Sequence, residues 1–380
     1  AKTELQSAYD ALKALLEAAI PVKLTTDEEN PVLYNINFKR GNDAFLKYRE
    51  DNKNVKLERE SVANASYYAF YFMGTENGVT IHPYNADGKV LGASDLRNGD
   101  TKISAVEAGA DGYAYEWIFV SQADSYYNLK ITKGNSSNYM SDFGNYGKDT
   151  GFYGSSNSSD AGSLFKFVEA VFENDNARFY QLKDVKATMT DGTNIYGGTS
   201  IGLYTGGKEY REAYTAAAAL EAAGNTSASD DCHAAYKALR AANEVLAYNA
   251  ADPGKVYYIV STATNGYCKG QYVHTYSEVQ PSHNNYDHKD LVYHNFNDIA
   301  TKTLAAFQFE TTATQGEYKM KNLHTGLYVK SFGKNADHLG TEAEAQVVKI
   351  AGIADGQVTL KIGDADPMHA QDDNDCIVGW

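Results

Sequence analysis

The chain has 380 residues, of which 43% are hydrophobic and 22% are charged. This is the composition of a globular protein with room for about two to four domains. The formal net charge is −15, and Lys and Arg form no cluster longer than two residues, which excludes the basic stripe that nucleic acids and anionic membranes require. No run approaches the roughly 20 apolar residues of a membrane span, so we expect neither a nucleic-acid partner nor membrane insertion.

Residues 3–19 place Leu5, Leu12 and Leu15 on one face at helical spacing, and Pro21 ends the pattern. A single amphipathic helix has nothing to pack against. We therefore predict that residues 1–20 are the terminal helix of a truncated helical module, and that the numbering begins inside a longer parent chain.

Residues 31–170 are rich in Tyr, Phe, Val, Asn, Gly and Ser, with short alternating runs broken by turns. Three cycles are predicted, each made of a strand, a hairpin, a second strand and a closing strand. The closing runs are YYAFYFM, YEWIFV and LFKFVEA. The hairpin turns centre near residues 42, 88 and 135, where Asn, Asp and Gly supply the positive φ angles that tight turns require.

Residues 171–250 return to a helical pattern. The three predicted helices are NARFYQLKDVKATM, KEYREAYTAAAALEAAG and SASDDCHAAYKALRAANEVL. Gly224 is expected to end the second helix, and Ser and Asp side chains are expected to cap the third. Three helices with short connections predict a small all-α bundle.

Residues 255–380 are again β-rich. The phrases YYIVSTATNGYCK, YKMKNLHTGLYVK and VTLKIGDADPMHA superpose, and AAFQFE and AQVVKIA close the first two cycles. The third cycle has no closing run. We therefore predict a second three-cycle β domain that is C-terminally incomplete and less stable than the first.

The phrase AYDAL at residues 8–12 returns as AYKAL at residues 235–239. Each copy is succeeded by a Tyr-bearing strand phrase, PVLYNINF after the first and KVYYIVST after the second. A long period that keeps both the helix phrase and the strand phrase indicates tandem modules.

Tyrosine is the most unusual component, with 30 residues against two tryptophans. A tyrosine ring joins an apolar body to a polar tip, which suits a binding surface that stays in contact with water. Tyrosine is also a good strand former, and in a β-rich chain this is the more common reason for any single tyrosine. The three cysteines include no CxxC motif, and a disulfide between Cys268 and Cys376 is neither required nor excluded.

The phrases GEYKMKNLHTGLYV and AAFQFE resemble the ricin-type lectin family, and in particular its divergent versions in surface proteins of gut Bacteroidetes. In AAFQFE, Phe309 stands where that family often has Trp. The helical phrases AYTAAAALEAAG, AAYKALRAA and SAYDALKALLEAA resemble the three-helix modules called FIVAR. The resemblance implies two all-β domains of the β-trefoil fold, separated by an all-α three-helix bundle.

Two polar segments are candidates for metal sites. The first holds His274, His283, His288 and His294 with Asp287 and Asp290, and the second holds Asp364, Asp366, Asp372, Asp373 and Asp375. The histidine spacings fit no zinc pattern, and the aspartates form no EF-hand loop. No HExxH, GxSxG or Walker motif is present. We expect no metal, no cofactor and no catalytic activity.

Ricin-type relatives bind sugar in a shallow pocket of each repeat, between the first hairpin and the next loop. The residues in those places here are Asn138, Tyr139, Asp142 and Tyr146 in the first trefoil, and Tyr272, His274, Tyr276, Phe332, Asn335, Asp337 and His338 in the second. The resemblance implies a non-catalytic, lectin-like fragment of a larger secreted or cell-surface bacterial protein, with host or dietary glycans as partners. The alternative is a structural stalk or protein-adhesion module that binds no sugar.

Overall fold

The computed structural model describes residues 2, 5–7, 20–41, 44–99, 101–142, 149–152, 158–264, 266, 268–276, 288–333, 337–371 and 376–379. The chain divides into two compact units. Unit 1 comprises Ala1–Met189 and Ala217–Lys237, and unit 2 comprises Thr190–Ala216 and Ala238–Trp380. The helix expected at 3–19 lies almost wholly outside the described residues. The four predicted domain ranges stay a prediction.

Unit 1 contains a series of short antiparallel strands. They are β1 Tyr34–Phe38, β2 Phe45–Tyr48, β3 Val55–Glu58, β4 Phe70–Gly74, β5 Val79–Pro83, β6 Lys89–Gly92, β7 Ser104–Glu107, β8 Trp117–Ser121, β9 Tyr127–Lys133, β10 Ser136–Ser141, β11 Gly151–Phe152 and β12 Phe165–Glu169. Each of the three closing runs predicted between residues 31 and 170 overlaps one of these strands: YYAFYFM overlaps β4, YEWIFV overlaps β8 and LFKFVEA overlaps β12.

Six strands of unit 1 close into a ring, in the order β1, β4, β5, β8, β9 and β12, with β12 pairing back to β1. The pairs β2–β3, β6–β7 and β10–β11 lie outside this ring as three hairpins. Alternate side chains point into the ring, so Ile36, Phe38, Phe70 and Phe72 are fully buried in one core. Trp117 lies in the same core and its indole N–H donates to Leu91 O at 2.8 Å.

The described residues include three α-helices at the predicted places. They are α1 Ala177–Ala187, α2 Gly207–Ala223 and α3 Ser229–Val245. The Asn176 side chain caps α1 by accepting from Phe179 N at 3.2 Å, and Gly224, with φ of 90°, comes directly after the end of α2 as expected. The unit boundary falls within α2 and α3, so a separate three-helix bundle stays a prediction. Among the residues described, no helix is both long and apolar enough for a membrane span.

Unit 2 also consists mainly of short strands. They are β13 Tyr204–Thr205, β14 Ala247–Tyr248, β15 Tyr272–Thr275, β16 Leu291–His294, β17 Phe307–Thr311, β18 Glu317–Asn322, β19 Tyr328–Val329, β20 Leu339–Gly340, β21 Val347–Ala354, β22 Gln357–Ile362, β23 Met368–Gln371 and β24 Cys376–Gly379. The run YYIVST was expected to be a strand. It forms only two isolated bridges, Tyr257 with Phe307 and Val260 with Tyr272.

The pairing in unit 2 repeats that of unit 1. The segment 256–260, β17, β18, β21 and β22 pair in that order, and β15–β16, β19–β20 and β23–β24 form three hairpins. Two contacts show the equivalence directly. Tyr34 bridges Phe70 in unit 1 as Tyr257 bridges Phe307 in unit 2, and Asn37 pairs with Phe45 as Val260 pairs with Tyr272.

An ion pair holds α2 against the β sheet of unit 2. Arg211 on α2 forms hydrogen bonds of 2.8 and 2.6 Å with the carboxylate of Asp355, which lies in the turn between β21 and β22. Gly197 N donates to the same carboxylate at 2.7 Å. The hydrogen bonds from Arg211, and then from Gly197, lower the pKa of Asp355 to about 2.

Close packing also fixes this junction. A Cβ atom on Gly352 of β21 would lie 2.9 Å from Leu203 Cδ2 and 3.1 Å from Tyr196 Cδ2. Only glycine leaves room for these two side chains, so β21 packs directly against the segment that contains Tyr196 and Leu203.

Candidate functional site

Five of the eleven predicted sugar-binding residues are buried. Asn138, Asp142, His274, Phe332 and His338 are between 0% and 4% exposed. Phe332 lies in the apolar core of unit 2, and the amide of Asn138 donates to Leu96 O at 2.8 Å. Side chains in these positions are placed to stabilise the fold, because a surface sugar does not reach them.

The buried acid and one buried imidazole have partners within the protein. Asp142 Oδ1 accepts from Arg40 at 3.0 Å. His338 Nδ1 accepts from Leu291 N at 3.1 Å, and burial lowers the pKa of His338 although Asp290, 3.6 Å away, opposes the shift. Both contacts join segments distant in the sequence, which explains why loop position alone did not reveal their role.

The other predicted residues fall into two groups. Tyr139, Tyr272 and Tyr276 are partly exposed, and Asp337 is exposed. Asp337 lies 3.4 Å from the Lys289 ammonium and 3.7 Å from that of Lys330. Tyr146 and Asn335 lie outside the described residues. Direct contact of any of these residues with sugar stays a prediction.

Unit 2 contains a partly exposed cluster of three rings, Tyr258, Tyr272 and Phe296, which we term the aromatic cluster. Ring centroids lie 5.2 Å apart for Tyr258 and Phe296, 4.8 Å for Tyr272 and Phe296, and 6.4 Å for Tyr258 and Tyr272. Tyr258 is 45% exposed, so the cluster presents an aromatic surface to solvent. Lys302 places its ammonium 4.4 Å from the Phe296 ring centroid.

The local fold explains this clustering. Tyr272 is the first residue of β15, and its neighbour across the hairpin is His294, the last residue of β16. Phe296 comes two residues later, where the chain turns away from the strand. Tyr258 arrives from the segment bridged to β15 through Val260. Three separate segments therefore bring one ring each to the same place.

A pair of histidines borders the aromatic cluster. His274 Nε2 lies 2.8 Å from His294 Nδ1, and His274 Nδ1 lies 2.8 Å from Thr275 O. Burial lowers the pKa of His274 to about 4, so its imidazole is neutral near pH 7. Because a carbonyl only accepts, His274 donates from Nδ1 and accepts at Nε2. His294 Nδ1 therefore donates to His274 Nε2.

Unit 1 has an open depression at the equivalent place. It has a volume of about 460 Å³ and is lined by Phe45, Arg59, Glu60, Ser61, Val62 and Ala63. Phe45 is the counterpart of Tyr272, since both pair with the matching residue of the first strand of their unit. This depression holds one aromatic ring where the surface of unit 2 holds three. The two units thus present related but unequal surfaces.

No group of three His, Cys, Asp or Glu residues within the described part of the chain is arranged to hold a metal ion. Of the two polar segments considered above, His283, Asp287 and residues 372–375 lie outside that part.

The sequence identified Tyr272 but missed its neighbours. Phe296 and Lys302 come after β16 without any motif, and Tyr258 was assigned only to a strand. His294 was noted within the histidine-rich segment, and its contact with His274 was not foreseen. The available signal was the alternation Val256, Tyr258 and Val260, which places three apolar side chains on one face of an edge segment.

No family model and no curated protein matches the chain. Among solved structures, a mosquitocidal holotoxin has a TM-score of 0.32 and 12% identity, over 92% of this chain and 33% of that chain. An endo-β-galactosidase from Clostridium perfringens that releases GlcNAcα1-4Gal has a TM-score of 0.30 and 17% identity, over 37% of this chain and 33% of that chain. The Macrolepiota procera ricin B-like lectin in complex with lactose has a TM-score of 0.30 and 11% identity, over 39% of this chain and 99% of that chain.

The chain thus covers 33% of the length of the holotoxin and 33% of that of the galactosidase. At these TM-scores the likenesses decide neither the fold nor the function.

Proposed function

We propose that this chain is a non-catalytic, carbohydrate-binding part of a larger secreted or cell-surface bacterial protein, and that its principal sugar site is the aromatic cluster of unit 2. The observation that carries the proposal is the exposed contact of Tyr258, Tyr272 and Phe296. The C–H face of a pyranose ring packs well on an aromatic surface, because the polarised C–H groups meet the negative face of the ring.

Polar groups at the border of the cluster supply the directional contacts that a sugar needs. The hydroxyls of Tyr258 and Tyr272 both donate and accept. An apolar floor with a few polar groups is the usual composition of a small-ligand site. The open surface favours the end or branch of a glycan as the ligand.

The strand arrangement supports a β-trefoil for residues 31–170, since a ring of six strands with three outer hairpins is the pattern that three strand–hairpin–strand cycles produce. We extend the proposal to a second trefoil in residues 255–380, with FIVAR-like helices between the two. Two related domains in one chain would bind glycans of the host or diet through several weak sites, because linkage raises the effective concentration of the second site.

The alternative function is adhesion to a protein partner. One observation favours it: Val256 and Val260, which flank Tyr258, are 47% and 44% exposed. Aliphatic side chains beside an aromatic ring suit a protein surface better than a sugar.

The test is a glycan array probed with the full chain displayed multivalently. Replacement of one stacking ring, Tyr272→Ala or Phe296→Ala, is expected to weaken binding about tenfold, because a ring contact contributes about 1 kcal/mol beyond its buried area. Tyr113→Ala is the matched control, since Tyr113 is 36% exposed and lies in unit 1.

Three outcomes separate the hypotheses. Binding that both cluster variants weaken and Tyr113→Ala leaves intact supports the proposal. Binding that Asp337→Asn abolishes and Tyr272→Ala does not would locate the sugar at the loop before β20 and refute the principal site. If the folded protein binds neither mucin-type O-glycans nor plant polysaccharides, the result would favour adhesion to a protein partner.

A further inference from the structure

Two lysines of unit 1 share one tyrosine ring. The ammonium of Lys39 lies 4.8 Å from the ring centroid of Tyr126, and the ammonium of Lys166 lies 4.4 Å from the same centroid. Because both distances end at one point, the two ammonium groups are at most about 9 Å apart. All three side chains are partly exposed. We term Lys39 and Lys166, with the ring of Tyr126, the lysine pair.

The closed strand ring of unit 1 brings these three side chains together. Phe165 is fully buried in the core, so the next residue of β12, Lys166, points to the outside of the ring. Lys39 comes directly after β1, and Tyr126 comes directly before β9, whose Tyr127 pairs with Phe165. Because β12 lies between β1 and β9, three neighbouring strands supply one side chain each to the same surface.

The turn before β9 holds Tyr126 independently of the lysines. Gln122 N donates to Tyr126 O at 2.8 Å across the turn. Asp124 and Ser125, within the turn, have φ of 60° and 59°, which is uncommon for residues with a Cβ atom. The backbone of the turn therefore places the ring, and a change of either lysine side chain is expected to leave the ring in position.

The protein supplies no counter-charge to the lysine pair. Among the residues that the structure describes, no carboxylate forms an ion pair with Lys39 or Lys166, and no hydrogen bond reaches the Tyr126 hydroxyl. The adjacent Arg40 differs, because its guanidinium donates to the Asp160 carboxylate at 2.7 Å. Two ammonium groups and one hydroxyl are thus available as donors at one place on a chain with a net charge of −15.

We propose that the lysine pair binds the acidic group of a glycan, either a sulfate ester or a carboxylate. An oxyanion between the two ammonium groups accepts a charge-assisted hydrogen bond from each and offsets their mutual repulsion. The Tyr126 hydroxyl donates to a further oxygen of the ligand. That the oxyanion belongs to a glycan rests on the proposed function, whereas the recognition of an oxyanion does not.

The chemistry of the surroundings favours a short acidic oligosaccharide over a nucleic acid. The sequence has no Lys or Arg cluster longer than two residues, so the lysine pair is not part of a basic stripe that follows a phosphate backbone. Two cations in a predominantly acidic chain match one or two acidic groups of a ligand. The lysine pair therefore adds a class of ligand that the aromatic cluster, with its uncharged rings, does not select.

The test is a titration of the full chain with a chondroitin 4-sulfate tetrasaccharide at low ionic strength, where surface charges are least screened. Lys39→Met and Lys166→Met keep a long side chain and remove the charge. Each variant is expected to weaken binding about fivefold, which is the usual effect of one exposed ion pair. Lys89→Met is the matched control, because Lys89 is also in unit 1 and is already paired with Glu107.

NMR of the unaltered protein provides a second readout that depends on no variant. The ring current of Tyr126 shifts the ε-CH₂ signals of Lys39 and Lys166, and bound ligand is expected to move both signals and not that of Lys89. A desulfated tetrasaccharide and a carboxyl-reduced one identify the oxyanion, since the form that retains binding carries it. Equal binding by wild type and Lys166→Met, or no movement of the two lysine signals, would overturn the proposal.

Two further outcomes separate this inference from the proposed function. Tetrasaccharide binding that falls in Lys39→Met and Lys166→Met supports the lysine pair even if no glycan on the array uses the aromatic cluster. Array binding through the aromatic cluster without any lysine-dependent binding overturns the lysine pair alone. Movement of the two lysine signals with inorganic sulfate, but with none of the tetrasaccharides, would overturn the glycan as the source of the oxyanion.

Discussion

The replacement His274→Gln tests whether the histidine beside the aromatic cluster is a structural residue. His274 is fully buried, and burial lowers its pKa from 6.5 to about 4. In the unfolded chain His274 therefore binds a proton as the pH falls below 6.5, whereas in the native chain it binds one only near pH 4. Stability from the neutral imidazole is complete above pH 6.5 and is lost as the pH falls towards 4.

The size of this pH effect on stability follows from the lowered pKa of His274. A pKa lowered from 6.5 to about 4 corresponds to roughly 3 kcal/mol, most of which is already lost at pH 4.5. Glutamine does not titrate, and its amide oxygen is able to accept from His294 Nδ1. We expect His274→Gln to destabilise unit 2 at pH 7 and to recover roughly 2–3 kcal/mol relative to the wild type at pH 4.5.

The assay is urea unfolding of both proteins at the two pH values. The difference of differences removes the contribution of groups that do not contact position 274, such as His82, whose pKa burial lowers to about 4. An NMR titration of the His274 ring gives its pKa directly. A pKa near 6.5, or a recovery below about 0.5 kcal/mol, would refute the argument that burial controls this group.

Two further predictions concern the junction within unit 2. Arg211→Ala removes the ion pair with Asp355 and is expected to lower the free energy of unfolding by about 1 kcal/mol, measured by urea denaturation, because the pair is partly exposed; an equal loss in an Asp355→Asn background would show that the two side chains are not coupled. Gly352→Ala is expected to cost about 1–3 kcal/mol, because the new methyl group overlaps two packed side chains. Gly254→Ala, whose Cβ would meet only a carboxylate oxygen at 3.3 Å, is the control, and equal melting temperatures of the two variants would contradict the packing argument.

Much of the secondary structure could be predicted from the sequence. Alternating runs such as YNLKIT and LFKFVEA are strands, and the apolar stripe of NARFYQLKDVKATM is a helix, because the period of the side chains is set by the local backbone. The three cycles within residues 31–170 were predictable from the spacing of their turns. The prediction that YYIVST forms a strand was wrong. A strand needs continuous pairing along its edge, and only two bridges reach this run.

The candidate site could be predicted only in part. Tyr272 was chosen for its position after a hairpin, and it lies in the aromatic cluster. His274 was chosen by the same rule two residues later, yet it is fully buried. The position of a residue in a loop does not predict how deeply it is buried, because burial depends on which distant segments cover the residue.

The sequence by itself determined the local elements, their order and the acidic charge, since each depends on neighbouring residues or on composition alone. The tertiary structure decided which strands close a ring, which rings meet at the surface and which polar side chains are buried. Those outcomes arise from pairings between segments far apart in the chain, such as β1 with β12 at one end and segment 256–260 with β17 at the other. A sequence pattern contains no information on distances between segments far apart in the chain, and for this reason only the folded structure revealed the aromatic cluster.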